Sequence, residues 1–174
     1  MQIRRAKKED SAGLAKVQVD SYQIGYRGLL PDDFLDQFTY DEQTQDWIEL
    51  LSELEQDPLY VAIDSENQVL GYALGRILHN ENFDCELRAV HVLKAYQRQG
   101  IATALASAIA KHYADLGYSS LMLWTMQKNS ARAVYEKLGG KLVDEKTDTW
   151  DDGTQITEVA YGWENIQDLI QEPE

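Results

Sequence analysis

Cys85-Glu-Leu-Arg-Ala-Val-His-Val-Leu-Lys-Ala-Tyr-Gln-Arg-Gln-Gly-Ile-Ala-Thr-Ala-Leu-Ala-Ser-Ala-Ile109 is the stretch that decides the fold. Its first part has the apolar pattern of a strand, with Leu87, Ala89, Val90, Val92 and Leu93. A polar turn, Gln97-Arg-Gln-Gly-Ile-Ala102, then leads into an amphipathic helix. A glycine just before a helix lets main-chain N–H groups approach a ligand closely, and the helix N-terminus adds partial positive charge. Together they suit a phosphate or pyrophosphate. The turn is neither a Gly-Lys-Ser/Thr phosphate loop nor a three-glycine dinucleotide fingerprint. Taken alone, its single glycine serves the backbone as readily as a ligand.

Upstream of that stretch, residues 2–6 read as a short strand and Asp10 as the cap of a helix carrying Leu14, Val17 and Ser21. Gly25 and Gly28 break this helix, and Pro31 opens a short one. A longer helix is expected from Asp41 to Glu55, with Trp47, Leu50, Leu51 and Leu54 on one face. The period then changes. Leu59–Ile63 and Gln68–Leu78 read as strands joined by the turn at Asp64–Asn67, with a second turn at Asn80–Asn82. Short turns make these strands antiparallel neighbours.

Downstream, the helix after Gly100 carries Ile101, Leu105, Ile109 and His112 or Leu116 on one face and stops at Gly117. Ser119–Met126 is apolar enough for a buried strand, with Trp124 in the core. Asn129 or Ser130 caps a helix over 131–138, and a hairpin closes at Asp152-Gly153. The order is β-α-α-β-β-β-α-β-α-β-β. It implies an α/β (α+β) domain with a mixed, mostly antiparallel sheet and helices on both faces. One domain is expected over 1–174, with 164–174 a tail or short helix.

Composition narrows the function classes. There are 30 acidic against 16 basic residues, a net charge of −14, which argues against nucleic acid as a partner. An anionic cofactor must be held by local features against that field, whereas a cationic amine is attracted by it. The single cysteine, Cys85, excludes an internal disulfide and a cysteine-rich zinc site. His79, His91 and His112 have no metal spacing, so no metal is expected. No apolar run reaches membrane-spanning length, and the basic start lacks a signal-peptide core. A cytoplasmic location without membrane partners is the expectation.

Gln97-Arg-Gln-Gly-Ile-Ala102 resembles the Gln/Arg-x-x-Gly-x-Gly/Ala motif of the GNAT superfamily of N-acetyltransferases. Glu86–Tyr96 is similar to the strand that leads into that motif, and Asn129-Ser-Ala-Arg-Ala-Val-Tyr-Glu-Lys-Leu-Gly-Gly140 to the family's later Asn…Tyr-Glu-x-Leu-Gly segment. The likeness covers most of the chain. Ala102 stands where Gly is common, Val134 where an aromatic is frequent, and Gly140 where Phe is frequent.

The resemblance implies acetyl-CoA as cosubstrate and an amine as acceptor. The N–H groups of Arg98, Gln99, Gly100, Ile101, Ala102 and Thr103 would cradle the pyrophosphate. The strand edge at Val90, His91 and Val92 would pair with the pantetheine arm as an added strand does. At about 3.3 Å per residue, an arm lying along this strand brings the thioester towards Glu86, about 20 Å from the turn. Glu86 is then the candidate general base, since an attacking ammonium must first lose a proton. Tyr135 matches the residue that protonates the departing thiolate, a neutral phenol at pH 7. Asn129 matches a cofactor-binding residue and equally suits a helix cap. Tyr22 and Tyr26 would line the acceptor site and could hold a cation on their ring faces.

The expected activity is acetyl transfer to a primary amine by direct attack in a ternary complex. The alternative is a CoA-binding sensor or interaction module without turnover, which would need neither Glu86 nor Tyr135. A nucleotide-binding module would lack the lysine and magnesium ligands of triphosphate chemistry. Family members often form homodimers.

Overall fold

The computed structural model describes residues 1–54, 57–79 and 82–171. In chain order the strands are β1 (Gln2–Arg5), β2 (Leu59–Ile63), β3 (Val69–Ile77), β4 (Cys85–Val92), β5 (Leu121–Met126), β6 (Lys141–Thr149) and β7 (Gln155–Trp163). They form one sheet in the order β1-β2-β3-β4-β5-β7-β6. All pairings are antiparallel except β4–β5, which is parallel. The helices are α1 (Ser11–Asp20), α2 (Asp32–Leu35), α3 (Tyr40–Glu53), α4 (Ile101–Asp115) and α5 (Arg132–Lys137). The mixed, mostly antiparallel sheet expected from the sequence is the one observed. The expected helix end at Glu55, the turn residues Asn80 and Glu81, and the last three residues of the tail lie outside the described residues.

Two cores sandwich the sheet. On one face α1 and α3 bring Leu14, Val17 and Trp47 against Val61, Ile63, Tyr72 and Leu74. On the other, α4 packs Leu105, Ile109 and Tyr113 against Ala73, Leu87, Leu121 and Tyr161. Each large aliphatic side chain so buried contributes about 1.5–3 kcal/mol. The i, i+4 series on α4 continues to Tyr113, fully buried, whereas Leu116 is 58% exposed. That spacing keeps one stripe facing the sheet, and Leu116 continues it but lies one residue beyond the end of α4 at Asp115, so the buried stripe ends at Tyr113.

Other expectations need correction. Asp10 does not cap α1 with its side chain. Its carboxylate instead accepts two hydrogen bonds from Arg4, at 2.7 and 2.9 Å, and one from the Lys7 N–H. A buried charge takes the partner that neutralises it, so the tie of β1 to the helix start wins over the cap. Trp124 is half-buried under the Lys146 ammonium, 4.6 Å from its ring centre, and lies outside the core. The C-terminal segment is more than a tail. A 3-10 turn over Ile166–Leu169 buries Ile166 and Leu169 beside α4, and the Gln171 N–H donates to Ser107 Oγ. Among the described residues, no helix is long and apolar enough to cross a membrane.

Candidate active site

The parallel pair β4–β5 barely exists. Only Cys85↔Leu121 and Glu86↔Met122 are in register, and beyond them the strands diverge. β5 continues to pair with β7 along its full length, and β4 with β3. A wedge therefore opens inside the sheet, with the far part of β4 as one unpaired edge. Its closed end is latched by Asp84, which accepts from Ser119 N, Ser119 Oγ and Ser120 N at 2.8–3.0 Å, while its own N–H donates to Ser120 Oγ. Led by the Ser119 N–H bond, these contacts hold the Asp84 carboxyl below its ordinary range.

A bulge shapes the open part. Leu74 pairs with Ala89 but Gly75 with Leu87, so Arg88 is an extra residue in β4. Bulges bend a strand and increase its twist. After it, Leu93 N–H goes to Leu70 on β3, while the Val92 carbonyl accepts from the Gln97 side chain, away from β3. Strand alternation then turns the main-chain groups of Val90 and Val92 to the wedge and those of His91 to β3.

The turn at the wedge mouth is built for an anion. Arg98 (φ 63) and Gly100 (φ 82) both adopt the left-handed conformation, and nothing lies within 4 Å of the space where a Cβ on Gly100 would stand. Among the described residues, the N–H groups of residues 98–103 find no hydrogen-bond acceptor, and Ala104 is the first to do so, donating to the Gly100 carbonyl at 2.9 Å. Six consecutive free donors at the start of a 15-residue helix fit a pyrophosphate.

Glu86 occupies the last paired position of β4, buried, with its carboxylate held by Arg76 Nε of β3. Arg76 is half exposed, so the pair joins the interior to solvent. Tyr135 of α5 packs against Tyr161, ring centres 6.0 Å apart, and its hydroxyl has no hydrogen-bond partner among the described residues. Burial pushes the phenol up to about 12, so it keeps its proton at neutral pH. The Asn129 side-chain oxygen accepts from the Ala131 N–H and so caps the approach to α5. Cys85 is fully buried, and its thiol is pushed up to about 12 by burial, far from a reactive thiolate.

Tyr22 and Tyr26 lie four residues apart on a π-helical turn over Ser21–Gly25 and just past it. Their rings meet edge to face at 5.1 Å. Both approach the His91 ring, at 5.7 and 6.2 Å, and Tyr72 closes the cluster at 5.4 Å. Burial lifts both phenols, and Tyr26 is also within electrostatic reach of Tyr135 and Glu158. His91 therefore brings its ring to the site. Burial drives that imidazole down to about 4 and leaves it neutral.

Sequence reasoning missed four residues here. Phe38 meets Tyr22 at a tilt with ring centres 4.7 Å apart, and Phe34 meets Phe38 at 5.3 Å and Trp150 at 4.9 Å, both edge to face. This chain of rings ties the α1–α3 loop to the β6–β7 hairpin. Glu158, the fourth, pairs with Lys146 at 3.1 Å. The available signal was a tryptophan placed beside an Asp-Gly turn, where no strand demands one. Among the described residues, no group of His, Cys, Asp and Glu could hold a metal ion.

Residues 25–140 match the model of the Acetyltransferase (GNAT) family. The chain is 32% identical over 170 residues to the uncharacterized N-acetyltransferase YuaI of Bacillus subtilis (strain 168), covering 96% of this chain and 95% of that one. An N-acetyltransferase from Staphylococcus aureus Mu50 shares the fold with a TM-score of 0.73 at 18% identity, over 95% and 98% of the two chains. YncA from Salmonella typhimurium, solved with its cofactor acetyl-CoA, does so with a TM-score of 0.69 at 18% identity, over 100% and 96%.

Proposed function

This chain belongs to the GNAT family of acetyltransferases, and from that premise we propose that it transfers the acetyl group of acetyl-CoA to a primary amine. The observation that carries the reading is the run of free N–H groups at residues 98–103, at the end of an unpaired strand edge. An anion held there and an arm laid along Val90 and Val92 put the acyl carbon near the closed end of the wedge. Bound acetyl-CoA supplies an acyl group activated as a thioester.

The residues then divide the work. Glu86 takes the proton of the incoming ammonium, directly or through water, with Arg76 fixing its carboxylate. The amine nitrogen bonds to the acyl carbon, the C–S bond breaks with its electron pair going to sulfur, and the second nitrogen proton passes to the departing thiolate or to water. Main-chain N–H on the open side of β4 donates to the carbonyl oxygen as it gains charge. Tyr135 donates its hydroxyl to the departing sulfur. A phenol at about 12 facing a thiol whose ordinary value is about 8.5 keeps most of its hold on the proton, so the hydrogen bond itself does much of the stabilising. Tyr22 and Tyr26 form the acceptor wall. The protein is read as cytoplasmic.

Titration calorimetry with acetyl-CoA and with ATP, followed by thiol-release kinetics on a panel of amines, tests this. Acetyl-CoA binds and ATP does not. Tyr135→Phe and Glu86→Gln each lower kcat by about 10²-fold while acetyl-CoA affinity stays within twofold. Binding of ATP alone, or equal losses of affinity and turnover in both variants, would sink the assignment. Binding without turnover on any amine selects the non-catalytic module.

A further inference from the structure

A cavity of about 300 Å³ lies beside the wedge, between α1, α3 and strands β3 and β4. Tyr22, Trp47 and Tyr72 give it aromatic walls, and Gln18, Asp46 and Arg88 give it polar ones. Tyr22 belongs both to this cavity and to the ring cluster that reaches Tyr26, so the cavity adjoins the acceptor site.

Arg88 is the unusual member. It is the bulged residue of β4 and is exposed. The guanidiniums of Arg4, Arg27, Arg76 and Arg132 each hold a carboxylate, whereas among the described residues Arg5 and Arg98, both outside this cavity, hold none. Arg88 holds none among the described residues, in a chain with 30 acidic side chains. Its charge is felt instead by the Tyr22 phenol. Trp47, in the same wall, has a buried indole N–H without a partner among the described residues. Asp46 lines the same cavity and, among the described residues, accepts a side-chain hydrogen bond only from the Gln43 amide, at 3.0 Å. A fork-shaped cation left free beside a group-transfer site suits a planar carboxylate, which guanidinium binds through two parallel hydrogen bonds. At a water's share of about 30 Å³, the space holds about ten non-hydrogen atoms.

We propose that the acceptor is a free amino acid, with its carboxylate on Arg88, its amine directed to the wedge, and a hydrogen-bond-donating side chain lying between Gln18 and Asp46. This rests on the acetyl-transfer reading and names its substrate class. Both ends of a zwitterion are then recognised, where the net charge alone would favour a simple cation.

The test compares L-amino acids with the amines left when each loses its carboxyl group, by thiol release from acetyl-CoA and by thermal shift of the CoA-bound protein. Amino acids with amide, hydroxyl or ammonium side chains have a KM at least tenfold below that of their amines and raise the Tm. Arg88→Gln raises the amino-acid KM at least tenfold and abolishes the discrimination, and Asp46→Asn weakens the preference for donor side chains. The inference falls if the amines are used as well as the amino acids, if Arg88→Gln raises both KM values equally, or if no amino acid moves the Tm. Calorimetry with acetyl-CoA runs in parallel. Its failure would overturn the transfer reading itself, whereas normal acetyl-CoA binding with amines preferred would overturn only the choice of acceptor.

Discussion

His91 has no counter-charge in its ring cluster, so burial alone sets its titration. Its folded value of about 4 lies below the ordinary 6.5 of an exposed imidazole. Between those pH values the unfolded chain binds a proton that the folded one refuses, so stability falls as pH drops through this window. In His91→Phe, which keeps a ring against Tyr22 and Tyr72, unfolding free energy measured by urea titration declines less between pH 6.5 and 4.5 than in the unaltered protein. An equal decline in both would place the acid sensitivity elsewhere. At this scale the sequence was most informative where chemistry restricts residue type. A carboxylate near the start of the strand, a tyrosine in the Tyr-Glu-x-Leu-Gly segment and a glycine before a helix could all be singled out. Phe34, Phe38, Trp150 and Glu158 could not, because segments distant in sequence bring them together and no local period marks them.

Among the elements, β4 and β5 matter most, and what matters is that they part. The Asp84 latch holds them together over two residue pairs, and the bulge at Arg88 turns β4 away afterwards. Removing the latch should let the junction fray without emptying either core. Asp84→Ala is expected to cost about 1–2 kcal/mol, seen as a Tm lower by about 3–8 °C, and to weaken acetyl-CoA binding as the track along β4 loses its fixed start. A lower Tm with unaltered affinity would separate the latch from the track. Most strands and helices were legible from period and turn chemistry, as the match of the α3 face or of β2 attests. The wedge was not. A parallel strand pair gives no local sign of where it ends, because its register depends on the crossover helix and on both neighbours. The bulge left one faint trace, the apolar doublets Ala89-Val90 and Val92-Leu93, where strict alternation allows only one of each pair.

For the molecule as a whole, the charge of −14 opposes an anionic cosubstrate. At 0.01 M ionic strength the Debye length is about 30 Å, so an approaching phosphate meets the whole negative field. At 0.15 M it is about 8 Å, and the field left at the turn is that of Arg98 and the helix start. Stopped-flow association of acetyl-CoA should therefore quicken as salt rises over this range, the reverse of the usual slowing for an attractive pair. A rate that falls with salt would mean that local cations dominate even at long range. The outline of the domain was readable because two helical faces and seven strands need each other to bury their apolar sides. The docking of Ile166 and Leu169 was not, since a four-residue turn has too short a period to show.

The extra residue in β4 also acts as a change of parity. Before it, odd-numbered side chains (Cys85, Leu87) enter the α4 core, and after it the even-numbered ones (Val90, Val92) do. Glu86 and His91 share a face only because of that switch. A deletion at position 88 would therefore do more than remove a guanidinium. It would remove the bulge and restore plain alternation, with Val90 and Val92 still towards α4 and the His91 ring still on the Glu86 face, while the bend that helps open the wedge is lost. Between Glu86 and His91 the strand can therefore shorten by one residue and keep both side chains on one face, but only by giving up the bulge.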